Sequence, residues 1–399
     1  MYWFFAVGVV LFLAYTIHYL LWIGELPQLH YKATTFNKEL LSGVPSLCSY
    51  YWPSFLVSNC HPQTLLGVLA RRRAHIPFYR ECFALKDGTE LHLDWMKLPE
   101  EEQKGEDEED EEQEPPRPTV IVLHGLAGSS RSRYIRQFLK HCRQRRFRCV
   151  VVHARGCGDS ELRTPHMFYP GLTDDIRQVI PYIRASPRVP KRSRLYAVAF
   201  SMGANVLGKY LGEDGVNVPL DGACLFSNPW NLVEVSQRLQ REWGSKLYSK
   251  LLRIEVLGYI KRHWHQLSKN QQIQQDVFNL LSSSSLYDID KHLSIRMFGY
   301  ATNEEYYRSC SSQPHIGKTA IPTLCVNAMD DPLCPYWCAP FEATKKNENL
   351  IVVTTKRGGH CAWLEGWDFW EDAWMDRVCS EYILSLEKLH PLKDCSPSK

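Results

Sequence analysis

The stretch LYAVAFSMGANVLGKYLGEDG, residues 195–215, changes character in its middle. Its first six residues form a short apolar run typical of a strand, whereas residues 203–211 carry apolar side chains at helical spacing. Ser201 lies between the two, at a turn flanked by small residues. This layout predicts a nucleophile elbow, a sharp strand-to-helix turn that exposes the serine hydroxyl. Such elbows usually read G-x-S-x-G, and this chain has Ala199 at the position of the first glycine.

Strand-like and helix-like segments alternate on both sides of this turn. From residue 118, the strand-like run PTVIVLHG precedes an amphipathic segment at 133–146. The strand-like run RCVVVHARG then precedes a helical segment at 173–183, for which Thr173 is the expected N-terminal cap. This alternation predicts an α/β fold with a mostly parallel central sheet flanked by helices on both faces. It stops near Pro229 and resumes with PTLCVNAMDDPLCP and NLIVVTTKRGGH, which predicts a helical lid inserted between two parts of the sheet.

We therefore expect five segments along the chain. They are an N-terminal transmembrane anchor (1–23), an N-terminal extension with the first strands (24–117), the first part of the α/β core (118–230), the helical lid (231–310) and the second part of the core (311–390). Residues 100–114, EEEQKGEDEEDEEQE, form an acidic run within the second segment. We interpret this run as a solvated surface loop, with a partner-binding acidic segment as the alternative.

The first 23 residues contain no Asp, Glu, Lys or Arg and are nearly all apolar. A helix of this length can cross the hydrocarbon core of a bilayer. Aromatic residues that suit the headgroup level lie towards its two ends: Trp3, Tyr15, Tyr19 and Trp22. A cleaved signal peptide is the alternative, but it normally has a basic start and a shorter apolar core that ends at small residues. We favour an uncleaved helix in a single-pass protein of the endoplasmic reticulum or another endomembrane.

The overall composition excludes few classes of function and indicates no cofactor. The formal net charge of +3 gives no indication of nucleic-acid binding. The 14 cysteines are scattered, and CPYWC at 334–338 lacks the two-residue spacing of redox or zinc pairs. We expect no disulfide framework, no metal site and no cofactor.

Three residues that could form a catalytic triad follow three separate strand-like runs. Ser201 follows LYAVAF, Asp331 follows TLCVNA with Asp330 beside it, and His360 follows LIVVTT. A serine hydroxyl becomes a strong nucleophile when a histidine takes its proton and a carboxylate orients that histidine. Because functional sites of parallel sheets lie at the carboxyl ends of the strands, we expect these side chains to meet. Each motif alone is common, and their order and placement together are specific.

Seven motifs carry a family resemblance. They are HPQTLLGVLARR (61–72), LHGLAGSS (123–130), ARGCGDSELRTPHMFY (154–169), TDDIRQVI (173–180), FSMGANVLGKYLGEDG (200–215), NAMDDPLCP (327–335) and RGGHCAWLEG (357–366). Together they cover most of the chain from about residue 60, and they resemble the AB hydrolase superfamily, AB hydrolase 4 family, of membrane-anchored lipases and esterases. The resemblance implies an α/β-hydrolase fold that acts on ester lipids such as monoacylglycerols, phospholipids or medium-chain fatty acyl esters.

The resemblance also implies residue roles. The stretch DPLCP resembles the acid loop of this superfamily, so we assign the acid to Asp331 and expect Asp330 to make local backbone hydrogen bonds. An oxyanion hole needs two backbone N–H groups, which we expect from Met202 and from Leu126 in the HGLAG loop. We expect His124, in the same loop, to be structural.

The sequence departs from two known motifs, and other functions therefore stay open. Ala199 breaks the elbow pattern, and His360 is followed five positions on by Glu365, so the H-x-x-x-x-D acyltransferase motif is absent there. The leading hypothesis is a membrane-anchored serine hydrolase of acyl esters that works through an acyl-enzyme. The alternatives are an alcohol O-acyltransferase with the same triad and a non-catalytic lipid-binding scaffold, with a peptidase less well supported.

Overall fold

The structure is a computed structural model of the 399-residue chain. It describes residues 2–69, 74–99, 101, 117–274, 276–367 and 373–389. The acidic run at 100–114 lies outside the described residues except for Glu101, whose carboxylate accepts the backbone N–H of Leu98. The expected solvated loop is therefore still a prediction.

Nine strands form one mixed sheet. They are β1 (Gln28–His30), β2 (Phe78–Ala84), β3 (Glu90–Met96), β4 (Thr119–Leu123), β5 (Arg148–Val152), β6 (Leu195–Phe200), β7 (Gly222–Phe226), β8 (Thr323–Ala328) and β9 (Leu350–Thr355). Their order is β1-β9-β8-β7-β6-β4-β5-β3-β2. The six strands from β4 to β9 are parallel, whereas β1 and β3 join β9 and β5 antiparallel and β2 pairs antiparallel with β3. The mostly parallel sheet predicted from the sequence is confirmed.

Seventeen α-helices occur in the described part of the chain. They are α1 (Tyr2–Trp22), α2 (Thr35–Ser42), α3 (Pro45–Cys48), α4 (Cys60–Leu69), α5 (Arg133–Gln144), α6 (Asp174–Ala185), α7 (Met202–Asp214), α8 (Leu232–Arg241), α9 (Trp243–Leu267), α10 (Gln271–Gln274), α11 (Val277–Ser282), α12 (Leu286–Ile289), α13 (Ile295–Phe298), α14 (Asn303–Cys310), α15 (Gln313–Ile316), α16 (Phe341–Lys346) and α17 (Trp374–Leu389).

The core follows from the alternation of side chains along each strand. Val120 and Val122 of β4 pack with apolar residues of α5 and α17 on one face of the sheet. Ile121 and Leu123 of the same strand pack with residues of α6 and α7 on the other face. The sheet is therefore buried on both faces, as parallel sheets usually are.

Helices α8 to α14 lie between β7 and β8, in the range 231–310 that the sequence predicts to be helical. They bury apolar side chains of their own, including Val256, Ile260 and Leu280, against Met167 and other residues of the 154–169 loop. This insertion therefore has a small apolar core that is distinct from the two layers of the sheet.

The N-terminal helix α1 is joined closely to the α/β core. In the described chain it is the one helix long and apolar enough to cross a membrane, a property that a signal sequence would share. Its Tyr15 hydroxyl donates to the Phe55 carbonyl at 2.6 Å. Just after the helix, the buried Glu25 carboxylate accepts the N–H groups of Lys356 and Arg357 at 2.8 and 3.0 Å. These contacts connect α1 to the sheet without a free linker.

The prediction that the Thr173 side chain caps the N-terminus of α6 is wrong. Thr173 has helical dihedral angles, φ −87° and ψ −17°, and its side chain forms no capping hydrogen bond. The hydroxyl instead donates to the Glu213 carboxylate of α7 at 2.7 Å. A tertiary contact with a residue 40 positions away therefore replaces the local one that the sequence suggested.

Candidate active site

Ser201 occupies a strained turn between β6 and α7. Its φ of 52° and ψ of −121° lie in a region that residues other than glycine rarely adopt, and its N–H donates to the Phe226 carbonyl at 2.9 Å. A Cβ at Gly203 would lie 2.5 Å from the His124 carbonyl oxygen, so this position must be glycine. Ala199 is fully buried within β6 and is not among the residues with positive φ. Alanine therefore suits the position of the first glycine in the usual pattern.

The three predicted triad side chains meet at the carboxyl edge of the sheet. The Nε2 atom of His360 lies 2.8 Å from the Ser201 Oγ, and its Nδ1 lies 2.8 Å from an Asp331 carboxylate oxygen. Asp331 is fully buried, and His360 is nearly so. The imidazole therefore connects the hydroxyl to the carboxylate, which is the geometry required for a histidine to act as a general base.

Electrostatics favour a charged imidazole in this position. Burial lowers the pKa of His360, but the attraction of the facing Asp331 carboxylate outweighs it and holds the pKa well above its usual value. The second Asp331 oxygen accepts the N–H groups of Leu333 and Cys334 at 2.8 and 2.9 Å. The carboxylate is therefore fixed before any imidazolium forms.

Asp330 has a different environment. Its carboxylate accepts the Gly359 N–H at 3.0 Å, a backbone contact of the type expected for it. Burial raises its pKa to about 7, assisted by the neighbouring charge of Asp331. Of the two aspartates, the structure brings Asp331 to the imidazole of His360.

The loop that carries His360 is held by residues that the sequence reasoning missed. The His360 N–H donates to the Thr64 hydroxyl at 2.9 Å, and Thr64 in turn donates to the Cys60 carbonyl of α4 at 2.8 Å. The Cys361 N–H donates to the Ser227 hydroxyl at 2.9 Å. The motif HPQTLLGVLARR contains Thr64, so its presence was visible in the sequence although its contact was not.

Leu126 lies in the HGLAG loop and Met202 directly follows Ser201, and the sequence predicts that their N–H groups form an oxyanion hole. A Cβ at Gly125 would lie 3.2 Å from the Ser201 Cβ, so the HGLAG loop passes directly over the serine. The Gly125 N–H is fixed by the Tyr134 hydroxyl at 2.9 Å. Within the described residues, the N–H groups of Leu126 and Met202 have no backbone or side-chain acceptor. Both remain available for a substrate oxygen.

A largely apolar cavity lies beside the serine turn. It has a volume of about 950 Å³ including its open mouth, and Leu126 and Met202 form part of its wall. Side chains of α8, α9, α12 and α14 form much of the rest. The insertion is also tied to the acid loop, because Arg238 and Ser245 donate to the carbonyls of Asp331 and Pro332, each at 2.8 Å.

His124 makes structural contacts, as the sequence suggested. Its Nδ1 lies 2.7 Å from the Gly125 carbonyl and its Nε2 accepts the Ala154 N–H at 3.1 Å. Burial lowers the pKa of His124 to about 4, so the ring is neutral and can donate at Nδ1 while accepting at Nε2. The ring therefore links the HGLAG loop to the loop after β5.

Two groups of potential metal ligands occur among the described residues. One is Asp331, Cys334 and His360, whose ligand atoms lie within 4.8 Å of one another, and the other is Cys82, Glu90 and His92. The first group is the site itself, and its atoms already hydrogen-bond to one another and to the backbone. Burial raises the pKa of the Cys334 thiol to about 12, which disfavours the thiolate that a metal would need.

Comparisons with known proteins show which family the chain belongs to. A family model described as the alpha/beta hydrolase fold matches residues 118–366. Phospholipase ABHD3 of Homo sapiens is 30% identical over 376 residues, 94% of this chain and 88% of that protein. Monoacylglycerol lipase ABHD2 of Danio rerio is 28% identical over 372 residues, 90% and 83% of the two chains. Medium-chain fatty acid ethyl ester synthase/esterase 2 of Saccharomyces cerevisiae is 30% identical over 291 residues, 68% and 63%.

The matched range runs from the residue before β4 to the loop after His360, so it contains the serine turn, the acid loop and the histidine loop. The identity to the human phospholipase extends the match over nearly the whole chain, including α4 and the edge strands. The chain belongs to the alpha/beta hydrolase fold family.

Proposed function

We propose that the protein is a membrane-anchored serine hydrolase that cleaves acyl ester bonds of lipids through an acyl-enzyme. The observation that carries this proposal is the 2.8 Å contact between Ser201 Oγ and His360 Nε2, beside an apolar cavity that Leu126 and Met202 help to line. The names of the relatives, a phospholipase and a monoacylglycerol lipase, support the class of substrate. Monoacylglycerols, phospholipids and medium-chain acyl esters are the candidate substrates.

In the proposed reaction, His360 Nε2 takes the Ser201 proton as Oγ attacks the ester carbonyl. Asp331 holds the imidazole in place and stabilises the imidazolium that forms. The N–H groups of Leu126 and Met202 donate to the oxyanion of the tetrahedral intermediate. The imidazolium then gives its proton to the leaving alcohol, which produces the acyl-enzyme.

Deacylation repeats these steps with water. His360 removes a proton from a water molecule as the water attacks the acyl carbonyl, and the proton then returns to Ser201 Oγ as the fatty acid leaves. The apolar cavity supplies a site for the acyl chain, and we propose that helices α8 to α14 (231–310) act as the lid that forms it. None of these steps uses a metal or a cofactor.

A fluorophosphonate probe tests the chemistry, because it reacts covalently with activated serines. Labelling of the full-length wild type is expected, together with loss of labelling in Ser201→Ala. The matched control is Ser309→Ala. Ser309 lies on α14, and its hydroxyl donates to the Tyr306 carbonyl within the same helix. An unreactive wild type, or a labelled Ser201→Ala, contradicts the proposal and favours the non-catalytic scaffold.

Acyl transfer to an alcohol is the second candidate, favoured by the name of the yeast relative, an ethyl ester synthase/esterase. The acyl-enzyme is the same, and only the attacking group differs between water and alcohol. Product analysis with an acyl donor and added ethanol or glycerol separates the two. Esters that increase with alcohol concentration indicate transfer, and free fatty acid alone indicates hydrolysis.

We also propose that α1 is an uncleaved anchor and that the protein is single-pass in the endoplasmic reticulum or another endomembrane. The hydrogen bonds from Tyr15 and Tyr19 of α1 to the Phe55 and Pro53 carbonyls support retention of the helix, because a cleaved signal sequence would have no need of them. The test is the N-terminal sequence of protein from cell membranes, combined with fractionation of organelles. A mature chain that begins after residue 23 contradicts the anchor.

A further inference from the structure

The outer surface of the helical insertion carries an unusual set of exposed apolar side chains. On α9 they recur at intervals of four, four and three residues, so they lie on one side of the helix. Two more project from α11, whose buried Leu280 belongs to the same apolar cluster as Val256 and Ile260 of α9. We call this set the lid face: Trp243, Leu247, Leu251, Ile254, Phe278 and Leu281. Trp243 is 91% exposed and Phe278 80% exposed, values that are rare for large apolar residues without a partner.

The opposite side of α9 is already occupied. Ser249, Val256 and Tyr259 face the cavity beside the serine turn. The lid face therefore lies on the far side of the helix that forms the cavity wall. It contributes nothing to the core of the described structure.

Charge on α9 indicates what covers the lid face. The helix carries five basic residues and a single acidic one, Glu255. Lys246, Lys250, Lys261 and Arg262 are exposed, and none of them forms an ion pair among the described residues. An apolar stripe with basic flanks is the pattern of a helix that lies in the interface of an anionic bilayer.

The position of α1 indicates which side of the domain faces the membrane. Tyr15 and Tyr19 of α1 contact Phe55, and Leu56 and Trp367 beside them are exposed apolar residues. Because α1 is fixed to the core without a free linker, this side of the domain must lie against the bilayer that α1 enters.

The start of α9 lies close to the same side. The His61 Nδ1 is 3.1 Å from the Tyr248 hydroxyl of α9, and the two rings stack. His61 lies six positions after Phe55 in the chain, a span of at most about 22 Å. We propose that the lid face is a second membrane-contact surface, which lies on the anionic phospholipid of the bilayer that α1 anchors.

The contact is tested on the full-length protein in nanodiscs that hold a single copy, with phosphatidylglycerol or phosphatidylcholine brominated on the acyl chains. Bromine quenches nearby tryptophans, and the difference between wild type and Trp243→Phe isolates Trp243 from the other tryptophans. Quenching of Trp243 is expected in phosphatidylglycerol discs, and it should weaken in phosphatidylcholine discs and in Lys246→Gln/Lys250→Gln. A Trp243 component that is equally unquenched in both lipids overturns the proposal. The same measurement is repeated in discs that hold two copies. If Trp243 is protected from solvent only in those discs, the proposal is also overturned and the face is assigned to self-association.

An activity measurement adds a second readout, and this arm alone rests on the proposed function. We expect Trp243→Ser/Leu247→Ser/Ile254→Ser to lower hydrolysis of a lipid ester in anionic vesicles about tenfold while a small soluble ester is cleaved as before. Val216→Ser is the matched control, since Val216 is 87% exposed but follows the far end of α7 from Ser201. Equal loss on both esters contradicts a membrane role. Quenching of Trp243 in a protein that cleaves neither ester supports the surface and rejects the hydrolase.

Discussion

The serine and the histidine of the site are held in different ways. Ser201 is positioned by its own neighbours, because β6, the turn and α7 are continuous in sequence and Gly203 permits the close contact with His124. His360 depends on residues far away in the chain, since Thr64 lies 296 positions before it. Four positive φ angles within six residues, at Gly358, Gly359, Cys361 and Trp363, show that the histidine loop has no regular structure of its own. The nucleophile is thus a local feature of the sequence, whereas the base is a product of tertiary structure.

The largest effect is expected from the carboxylate on the histidine side. Asp331→Asn should lower kcat about 10⁴-fold, because the imidazole loses the group that orients it and stabilises its charge. The loss of that charge should also lower the pKa of His360. Since the neutral base is the active form, the acid limb of the kcat/KM profile should move to lower pH. A pH–rate profile for hydrolysis of a soluble ester measures both changes.

Asp330→Asn is the matched control. Asparagine keeps an oxygen that can accept the Gly359 N–H and removes a buried carboxyl whose pKa is about 7. Activity should change by less than about threefold. Equal losses in the two variants would mean that the acid role is shared, contrary to the geometry.

On the serine side, Gly203→Ala should be the most damaging local change. The new Cβ would lie 2.5 and 2.8 Å from the carbonyl oxygens of His124 and Leu123, and backbone atoms cannot move aside cheaply. We expect a loss of about 3 kcal/mol in the free energy of unfolding, measured by urea denaturation in detergent. In the control Gly258→Ala, nothing lies within 4 Å of the new methyl, and helix propensity should stabilise the protein by up to about 1 kcal/mol.

Ala199 allows a graded test of the same turn. Ala199→Val adds two methyl groups to a fully buried strand position beside Leu123 and Leu225, at a cost of about 2 kcal/mol. Ala199→Gly removes one methyl and should cost about 1 kcal/mol through the greater freedom of the unfolded chain. Thermal unfolding of the two variants ranks them. A less stable glycine variant would show that space at this position does not limit the turn.

The smallest effect should come from the remote support of the base. Thr64→Val keeps the shape of the side chain but leaves the His360 N–H without its acceptor, which should lower kcat about tenfold with KM unchanged. Thr64→Ser retains the hydroxyl and should retain kcat. If the valine and serine variants have the same kcat, Thr64 is not a positioning residue and the contrast between the two sides of the site is weaker than proposed.

The same contrast explains what the sequence could predict. The alternation of strands and helices, the serine turn and the helical range between β7 and β8 were visible because each is encoded by neighbouring residues. Asp331 and His360 could be assigned to strand ends, although the choice between Asp330 and Asp331 needed a family resemblance. The contacts of Thr64 and Ser227 and the partner of Thr173 could not be read, because each joins segments 40 or more residues apart. The lid face could not be predicted either, because its exposure depends on which side of α9 is buried.

The hydrogen bonds of Glu25 affect what happens when a protease releases the domain from α1. A protease that cuts between Trp22 and Glu25 leaves the Glu25 carboxylate bound to the Lys356 and Arg357 N–H groups and leaves β1 paired with β9. A cut only ten residues later removes β1 and uncovers the edge of β9, whose free N–H and C=O groups can recruit another strand. The shed enzyme is therefore expected to stay dispersed in the first case and to aggregate in the second.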